Sequence, residues 1–369
     1  MKALRILYIL ANEPTGGVGV FVRDFTTHFS NQVTVDYLIY TKERNTKFQK
    51  SIQNDQNHIY YLPDLSVRSY KTLLKLTDEF FKEHASKYQI VHLTYPGIVK
   101  MCFEPAKKYG IKYRIIHSFN ASLSDNPVKS NIYKLLVSNY KKYANCYLAC
   151  SKEAAEFLYG KNTKDVVYIH NAIDCEQYKF DSALRNKLRE KYNVENKKVF
   201  ICAGRLEKQK NIGFAIDVFN EIVKKEQDSC LFVVGDGPYK EEYIGKVKNY
   251  KLDDKVKFIS FTSSLNELFL VSDLLLFPSL YEGLPLTVVD AENSGLACLL
   301  ANTISKEVSM TNQVQFASLD ESKEKWAEEA IEMCLYNRKD ETDNITKKGY
   351  NILHEANKLE KYYESLCER

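Results

Sequence analysis

The sequence alternates short apolar runs with longer, helix-compatible polar stretches, and this alternation restricts the fold more than any other feature. The runs contain little internal polar alternation, which is typical of strands buried on both faces of a parallel sheet. Helical stretches such as 66–87 and 126–143 separate them. Predicted strands of the first half are 3–10, 33–40, 58–62, 89–94, 112–117, 145–150 and 166–170. Those of the second half are 198–203, 230–234, 255–259, 273–277, 297–300 and 313–317.

The strand–helix pattern is interrupted by a polar, helical stretch near 172–196 and then restarts. Alternation on both sides of a break predicts two doubly wound α/β units. A length of 369 residues also fits two domains. We place the first domain at 1–175 and the second at 176–352.

Composition excludes several classes of protein. The nine cysteines contain no CxxC pair and mostly lie in apolar runs, so we expect reduced packing residues and a cytoplasmic protein. The N-terminal run is interpreted as a buried strand, since it lacks a cleavage site, and no run is long enough to span a membrane. The net charge of +4 is mild and no base-reading motif occurs, so nucleic acid is not an expected partner.

Doubly wound sheets bind ligands beyond the carboxyl ends of their strands, so the segments after strands are examined first. After the first strand come Gly16, Gly17 and Gly19, which would let a ligand approach helix N-terminal amides. A dinucleotide fingerprint would need a further glycine where Val22 stands, so NAD is not favoured. An ordinary tight turn is the alternative.

Two further segments open the second half. Arg205 and Lys210 follow its first strand, and an arginine fork with a lysine point charge suits a diphosphate, although a surface charge cluster is the alternative. Gly235 follows the next strand and permits close backbone approach, whereas 236–238 is also ordinary turn chemistry.

The segment after strand 273–277 carries the strongest signal. Gly283 and Leu284 are expected to offer free amides at a helix N-terminus, where an anion is favoured. Glu282 precedes this helix and Asp290 is placed about two turns in, so that eight helical residues separate them by ~12 Å. The alternative is that Glu282 only complements the helix dipole.

Taken in order, these segments resemble one family. The landmarks are GGVGVFV at 16–22, RIIHSFNA at 114–121, YLACSKEAAEFLYG at 147–160, IHNAID at 169–174, GRLEKQKN at 204–211, VVGDGP at 233–238 and PSLYEGLPLTVVDAENSG at 278–295. The chain resembles retaining glycosyltransferases of the GT-B fold, family 4, and is similar to bacterial enzymes of capsular and exopolysaccharide synthesis. The resemblance implies two Rossmann-like domains facing a cleft that closes on the donor, with a final helix, 353–369, returning to the first domain.

The resemblance also implies roles for single residues. Catalysis would fall to Glu282, His117, Arg205 and Lys210. Acceptor binding would fall to His117 and Asn120, with Asn171 at the domain junction. The residues implied in donor binding are Gly16, Gly17, Gly19, Arg205, Lys210, Gly235, Glu282, Gly283, Leu284, Pro285 and Asp290. For His117, a structural core histidine is the alternative.

One position departs from the family pattern, which has glutamate where this chain has Asp290. The shorter carboxylate would weaken ribose binding, whereas Glu292, two residues on, turns ~200° away and is not expected to substitute. The family route implies a UDP-sugar donor, retention of configuration, no divalent metal or other cofactor, and no side-chain base. The acceptor would be a saccharide or a lipid-diphosphate-linked saccharide.

The stretch 128–143 combines lysines and tyrosines with an apolar stripe. Such a helix suits peripheral contact with an anionic membrane at the inner face, and an ordinary solvated helix is the alternative. Two other functions stay open: a catalytically silent partner subunit, suggested by Asp290, and a nucleotide-sugar epimerase or phosphorylase of the same architecture.

Overall fold

A computed structural model describes residues 4–13, 16–44, 46–66, 68–119, 140–161, 163–260 and 264–368. The chain divides into two compact units. The first unit comprises Met1–Ala172 with Ile352–Arg369, and the second comprises Ile173–Asn351. The sequence placed these boundaries after residue 175 and after residue 352.

The first unit contains a parallel sheet of seven described strands in the order β3-β2-β1-β4-β5-β6-β7. The strands are β1 (Leu4–Leu10), β2 (Val33–Tyr40), β3 (Ile59–Leu62), β4 (Ile90–Leu93), β5 (Tyr113–Ser118), β6 (Cys146–Ala149) and β7 (Val166–Tyr168). Its helices are α1 (Gly16–Thr27), α2 (Lys47–Ile52), α3 (Tyr70–His84), α4 (Val99–Lys108), α5 (Tyr140–Tyr143) and α6 (Lys152–Tyr159), with the last helix of the chain, α14 (Ile352–Cys367).

The second unit contains a parallel sheet of six described strands in the order β10-β9-β8-β11-β12-β13. The strands are β8 (Lys198–Ala203), β9 (Ser229–Val234), β10 (Val256–Ile259), β11 (Leu274–Phe277), β12 (Ala297–Ala301) and β13 (Val314–Ala317). Its helices are α7 (Ser182–Tyr192), α8 (Ile212–Lys225), α9 (Lys240–Asn249), α10 (Leu265–Val271), α11 (Leu286–Asn293), α12 (Lys323–Met333) and α13 (Thr342–Lys347). The prediction of two doubly wound α/β units is confirmed.

Successive residues of the central strands belong to two different cores, which explains why their sequences are apolar throughout. In β1, Leu7 lies in one hydrophobic cluster and Tyr8 in another. In β8, Ile201 and Cys202 are divided in the same way. Because strand side chains point alternately to opposite faces, a sheet covered by helices on both sides needs apolar residues at every position.

The last helix, α14, completes the first unit. Its buried apolar residues recur at helical spacing and join the cluster that contains Tyr8 and Phe21. The apolar residues of the predicted final helix, taken from the sequence, indicate a contact face made of Leu353, Leu359, Tyr362, Tyr363 and Leu366. The assignment of Leu353 to the buried face is wrong, because this residue is 53% exposed. The stripe instead starts one residue earlier, at Ile352, so position 353 falls off the 3.6-residue period.

All nine cysteines are free and six of them are buried, in agreement with the expected packing role. Among the described residues, no helix combines the length and the apolar character needed to cross a bilayer.

Candidate functional site

Each sheet has a topological switch point. The first strand of the sheet lies in its middle, the next two strands extend the sheet on one side, and the later strands extend it on the other side. In the first sheet β1 lies beside β4, and in the second β8 lies beside β11. Loops at the carboxyl ends of such strands diverge and leave room for a ligand. Each unit therefore has one candidate site, built from the loops after these strands.

In the second unit, hydrogen bonds join the loop after β8 to the loop after β11. The Leu280 amide donates to the Gln209 carbonyl at 2.8 Å. The Gln209 side-chain amide donates to the Tyr281 carbonyl at 2.9 Å, and that of Asn211 to the Pro278 carbonyl at 3.1 Å. Two segments about 70 residues apart are thereby held as one surface.

This surface brings two of the predicted catalytic residues into contact. Lys210 Nζ lies 2.6 Å from Glu282 Oε1, and the two side chains are only 14% and 10% exposed. The ammonium also lies 4.9 Å from the centroid of the Phe277 ring. A lysine ammonium has three donors, so Lys210 can contact Glu282 and an anionic oxygen together.

Glycines at the ends of β8 and β9 make this arrangement possible. Gly204 has φ +150°, and a Cβ there would lie 3.0 Å from Lys210 Cε, so the lysine stem packs directly over the glycine. A Cβ on Gly235, which has φ +140°, would lie 1.9 Å from the Gly204 carbonyl oxygen. The close backbone approach predicted at Gly235 is therefore made by the neighbouring strand end.

Arg205 lies apart from this ion pair. Its side chain is 62% exposed and its Nη1 donates to Glu207 Oε1 at 3.0 Å. Exposed pairs of this kind are weak, at ~0–1 kcal/mol, so the guanidinium is able to exchange Glu207 for another anion.

The helix after β11 starts later than the sequence indicated. It begins at Leu286 with Pro285 at the N-cap position. Gly283 and Leu284 therefore precede the helix, which corrects the prediction that their amides lie in its first turn. Asp290 is correspondingly in the second turn of a short helix rather than two full turns in. Among the described residues, no atom lies within 4 Å of a Cβ built on Gly283, so this position is open.

The Glu292 side chain points into the interior of the second unit. It is fully buried, and its Oε2 accepts bonds from the amides of Met310 and Thr311 at 3.0 and 2.8 Å and from Thr311 Oγ1 at 2.7 Å. Burial raises the pKa of this carboxyl to about 8. The inward position agrees with the expectation that Glu292 does not replace Asp290.

We expect Glu292→Gln to remove a pH dependence of stability. The folded protein keeps this proton up to about pH 8, whereas an unfolded glutamate loses it near 4.5. The stabilisation is thus complete below pH 4.5 and is lost as the pH rises to 8, at up to about 1.4 kcal/mol per pH unit. Denaturant unfolding at pH 5, 6.5 and 8, followed by the fluorescence of Trp326, measures this. Parallel pH profiles for wild type and variant would contradict it, and Glu195→Gln, at an exposed position of the same unit, serves as the control.

In the first unit, the predicted glycine motif forms the first turn of α1. Strand β1 ends at Leu10 and the helix begins at Gly16, so these glycines are helical rather than turn residues. A Cβ on Gly17 would lie 3.6 Å from Asn171 Nδ2. Asn171 therefore lies against the start of α1, and its buried Oδ1 has no partner among the described residues.

His117 lies on β5 and is fully buried. Its ring stacks on Phe119 at 4.0 Å between centroids, and its Nδ1 lies 3.1 Å from His92 Nε2. Burial, with a smaller contribution from His92, holds the pKa of His117 well below its usual value, so the ring is neutral. Within the described chain, Nε2 is buried without a partner. The contact of His117 with a sugar stays a prediction.

Sequence reasoning missed the partners of His117. His92 and Tyr363, both fully buried, form a hydrogen-bonded chain with it. A histidine inside the apolar run IVHL was the available signal for His92. No local pattern distinguishes Tyr363, because its partners lie far away in the sequence.

Some predicted residues fall on parts of the chain that are not described. Asn120 lies outside the described residues, and so does most of the amphipathic stretch 128–143. Its last turn is α5, with Tyr140 and Tyr143 buried. Within the described chain, no group of three His, Cys, Asp or Glu side chains is placed to hold a metal ion.

Comparison with protein families matches both halves of the chain. Residues 15–177 match the model described as Glycosyltransferase Family 4. Residues 185–352 match the model described as Glycosyl transferases group 1. The two matches correspond closely to the two structural units.

Individual relatives agree with these models. The chain is 24% identical over 332 residues to EpsF of Bacillus subtilis (strain 168), whose assignment as a glycosyltransferase is itself provisional, covering 88% of this chain and 86% of that one. It is 27% identical over 270 residues to the UDP-Gal:alpha-D-GlcNAc-diphosphoundecaprenol alpha-1,3-galactosyltransferase of Escherichia coli. That match covers 68% of this chain and 67% of the relative. Anabaena Alr3699/HepE, solved in complex with UDP, has the same fold, with a TM-score of 0.80, 16% identity and coverage of 98% and 100%.

Proposed function

Because the chain belongs to the family 4, group 1 glycosyltransferases, we propose that it moves a sugar, with retention of configuration, from a UDP-sugar to a saccharide or lipid-diphosphate-linked saccharide. Glycosyl transfer is the activity for which the family is named, the Escherichia coli relative is named as a galactosyltransferase, and another relative in that species is named for O-antigen biosynthesis. The observation that carries the proposal is the Lys210–Glu282 pair at the switch point of the second sheet.

The charges of this site suit a nucleotide-sugar. During transfer the bond between the anomeric carbon and the diphosphate breaks, and negative charge develops on the leaving oxygen. In the proposal, Lys210 stabilises that charge, and Arg205, whose side chain is 62% exposed, binds a phosphate. We therefore propose that these cations serve in place of a divalent metal.

Glu282 has a separate task in the proposal. A carboxylate accepts hydrogen bonds only, so it can bind sugar hydroxyls but cannot bind phosphate oxygens. With a donor bound, Lys210 would contact both a phosphate oxygen and Glu282. The ion pair observed without ligand thus sets the spacing between the sugar and the diphosphate. Asp290, on α11, is proposed to accept from the ribose.

We propose that the acceptor oxygen attacks the anomeric carbon on the face that the diphosphate leaves. The acceptor proton passes to the departing phosphate oxygen, so no side-chain base is needed. His117, which is neutral and buried, is not assigned that role.

The donor and acceptor classes are supported by the relatives. The Escherichia coli relative is named for UDP-Gal as donor and a diphosphoundecaprenol-linked acceptor, and the Anabaena structure contains UDP. A lipid-linked acceptor would require work at the inner face of the membrane. We propose that the basic stretch 128–143 makes that peripheral contact and that the protein is cytoplasmic.

Calorimetric titration with UDP, GDP and NAD, each with EDTA present, tests the donor site. We expect UDP alone to bind, followed by transfer from a UDP-sugar with the same anomeric configuration in product and donor. Selective binding of GDP would contradict the UDP assignment, and UDP binding that appears only when Mg²⁺ replaces EDTA would contradict metal independence.

A silent partner subunit is the second candidate, and Asp290, where the family has glutamate, favours it. A protein that binds UDP but turns over no UDP-sugar would support that function, especially if Asp290→Glu restores the turnover. Formation of a sugar 1-phosphate from inorganic phosphate would instead indicate a phosphorylase, and conversion of the nucleotide-sugar to its epimer without any acceptor would indicate an epimerase.

A further inference from the structure

A tyrosine lies at the switch point of the first sheet, on the short connection between β4 and α4. The Thr94 amide and hydroxyl both donate to the Ile9 carbonyl of β1, at 3.3 and 3.2 Å, so this connection is tied to the end of the neighbouring strand. Tyr95 follows and is 42% exposed. Loops at this position border the crevice in which a doubly wound sheet binds its ligand.

The ring of Tyr95 is held in place by the residues that follow it. A Cβ built on Gly97 would lie 2.8 Å from Tyr95 Cε1 and 3.1 Å from its Cζ, so the ring packs directly on the glycine. Pro96 opens the 3-10 helix Pro96–Ile98, and its own ring fixes the backbone there. The Ile98 amide donates to the Tyr95 carbonyl at 3.4 Å. A ring held in this way loses little conformational entropy when a ligand packs against it.

The location of Tyr95 separates it from other exposed rings. A single exposed aromatic residue is common on protein surfaces and needs no explanation by itself. Among the exposed tyrosines described in the first unit, Tyr70 opens α3 and Tyr168 ends β7, the outermost strand of the sheet. Within that set, Tyr95 alone borders the switch point and packs on a glycine.

We propose that Tyr95 is a platform on which a pyranose ring of the acceptor stacks. Leu93 on β4 is paired in register with Ile116 on β5, so the connection that carries Tyr95 begins beside His117, the residue predicted to bind the acceptor. The proposal rests on the proposed function only for the statement that this sugar is the acceptor.

The chemistry of an aromatic ring defines the ligand class. One face of a pyranose consists of C–H groups, and their partly positive hydrogens are attracted to the negative face of an aromatic ring. The site would therefore take a neutral hexopyranoside and recognise it through its apolar face, without a charged group. Stacking needs the ring of Tyr95 and does not need its hydroxyl.

Saturation-transfer NMR on ligand-free protein tests the stacking directly, with methyl glycosides of glucose, galactose and N-acetylglucosamine as probes. Irradiation of aromatic protons should saturate the ring C–H protons of at least one glycoside, in wild type and in Tyr95→Phe. Tyr95→Ala should lose this signal, whereas Tyr70→Ala, which removes a ring that is 46% exposed, should keep it.

Two outcomes of this experiment would overturn the platform: an unchanged signal in Tyr95→Ala, or no signal from any of the glycosides in wild type. The spectra need no donor. Failure of UDP binding in calorimetry would therefore refute the proposed function and leave the result for the glycosides standing.

Gly97→Ala displaces the ring without removing it. The new Cβ would meet the far end of the Tyr95 side chain, which can rotate away, so we expect the variant to fold. The KM for the saccharide acceptor should rise about 3- to 10-fold in Gly97→Ala and in Tyr95→Ala. Because only acceptor binding is weakened, kcat and UDP affinity should stay within about twofold of wild type.

The double variant separates the ring from other effects of the glycine. Gly97→Ala added to Tyr95→Ala should raise the acceptor KM no further, because no ring is left to displace. Additive increases would show that the glycine acts through the start of α4 and not through the ring, and they would contradict the platform.

Discussion

Replacing Lys210 with alanine is expected to lower kcat/KM for sugar transfer by about 10²- to 10³-fold, the range found when one group that stabilises developing charge is removed. The variant lacks the cation closest to the proposed leaving group. It also leaves the Glu282 carboxylate, only 10% exposed, without its counter-charge. Initial rates of nucleotide release with saturating acceptor measure the loss.

Lys208→Ala is the matched control, because Lys208 lies on the same short 3-10 helix but is exposed. We expect it to stay within about threefold of wild type. Equal losses in the two variants would show that the total charge of the loop matters and that the Lys210–Glu282 contact does not.

Gly235→Ala is expected to destabilise the second unit by about 3–5 kcal/mol, at the upper end for single substitutions. The new Cβ would lie 1.9 Å from the Gly204 carbonyl oxygen, and the φ of +140° is unfavourable for alanine. Neither group can move without shifting a strand end that carries Lys210. Denaturant unfolding followed by Trp326 fluorescence measures the change in free energy.

Gly245→Ala provides the comparison within the same unit. It lies in α9, and no described atom lies within 4 Å of the new Cβ. Alanine is a better helix former than glycine by about 0.5–1 kcal/mol, so this variant should be slightly more stable. A Gly235→Ala protein as stable as wild type would show that the ends of β8 and β9 adapt more easily than their geometry indicates.

The fold was predictable because strands buried on both faces must be apolar at every position, as Ile6, Leu7 and Tyr8 illustrate. The first residues of individual helices were harder to predict. Pro285 lies at the N-cap position, so α11 begins after Gly283, which was expected to lie at the start of this helix. The site residues Lys210 and Glu282 were recognisable one by one through their landmarks. Their contact was not, because it depends on hydrogen bonds between loops about 70 residues apart.

The placement of α14 has a consequence for synthesis on the ribosome. The second unit is a continuous segment, Ile173–Asn351, whereas the first unit needs residues from both ends of the chain. On the face of the first sheet where Ile6 packs with Phe21 of α1, the core stays incompletely covered until α14 has been made. The unit that begins first is therefore completed last. Until then the uncovered part of this core is a surface on which a nascent chain can aggregate or bind a chaperone.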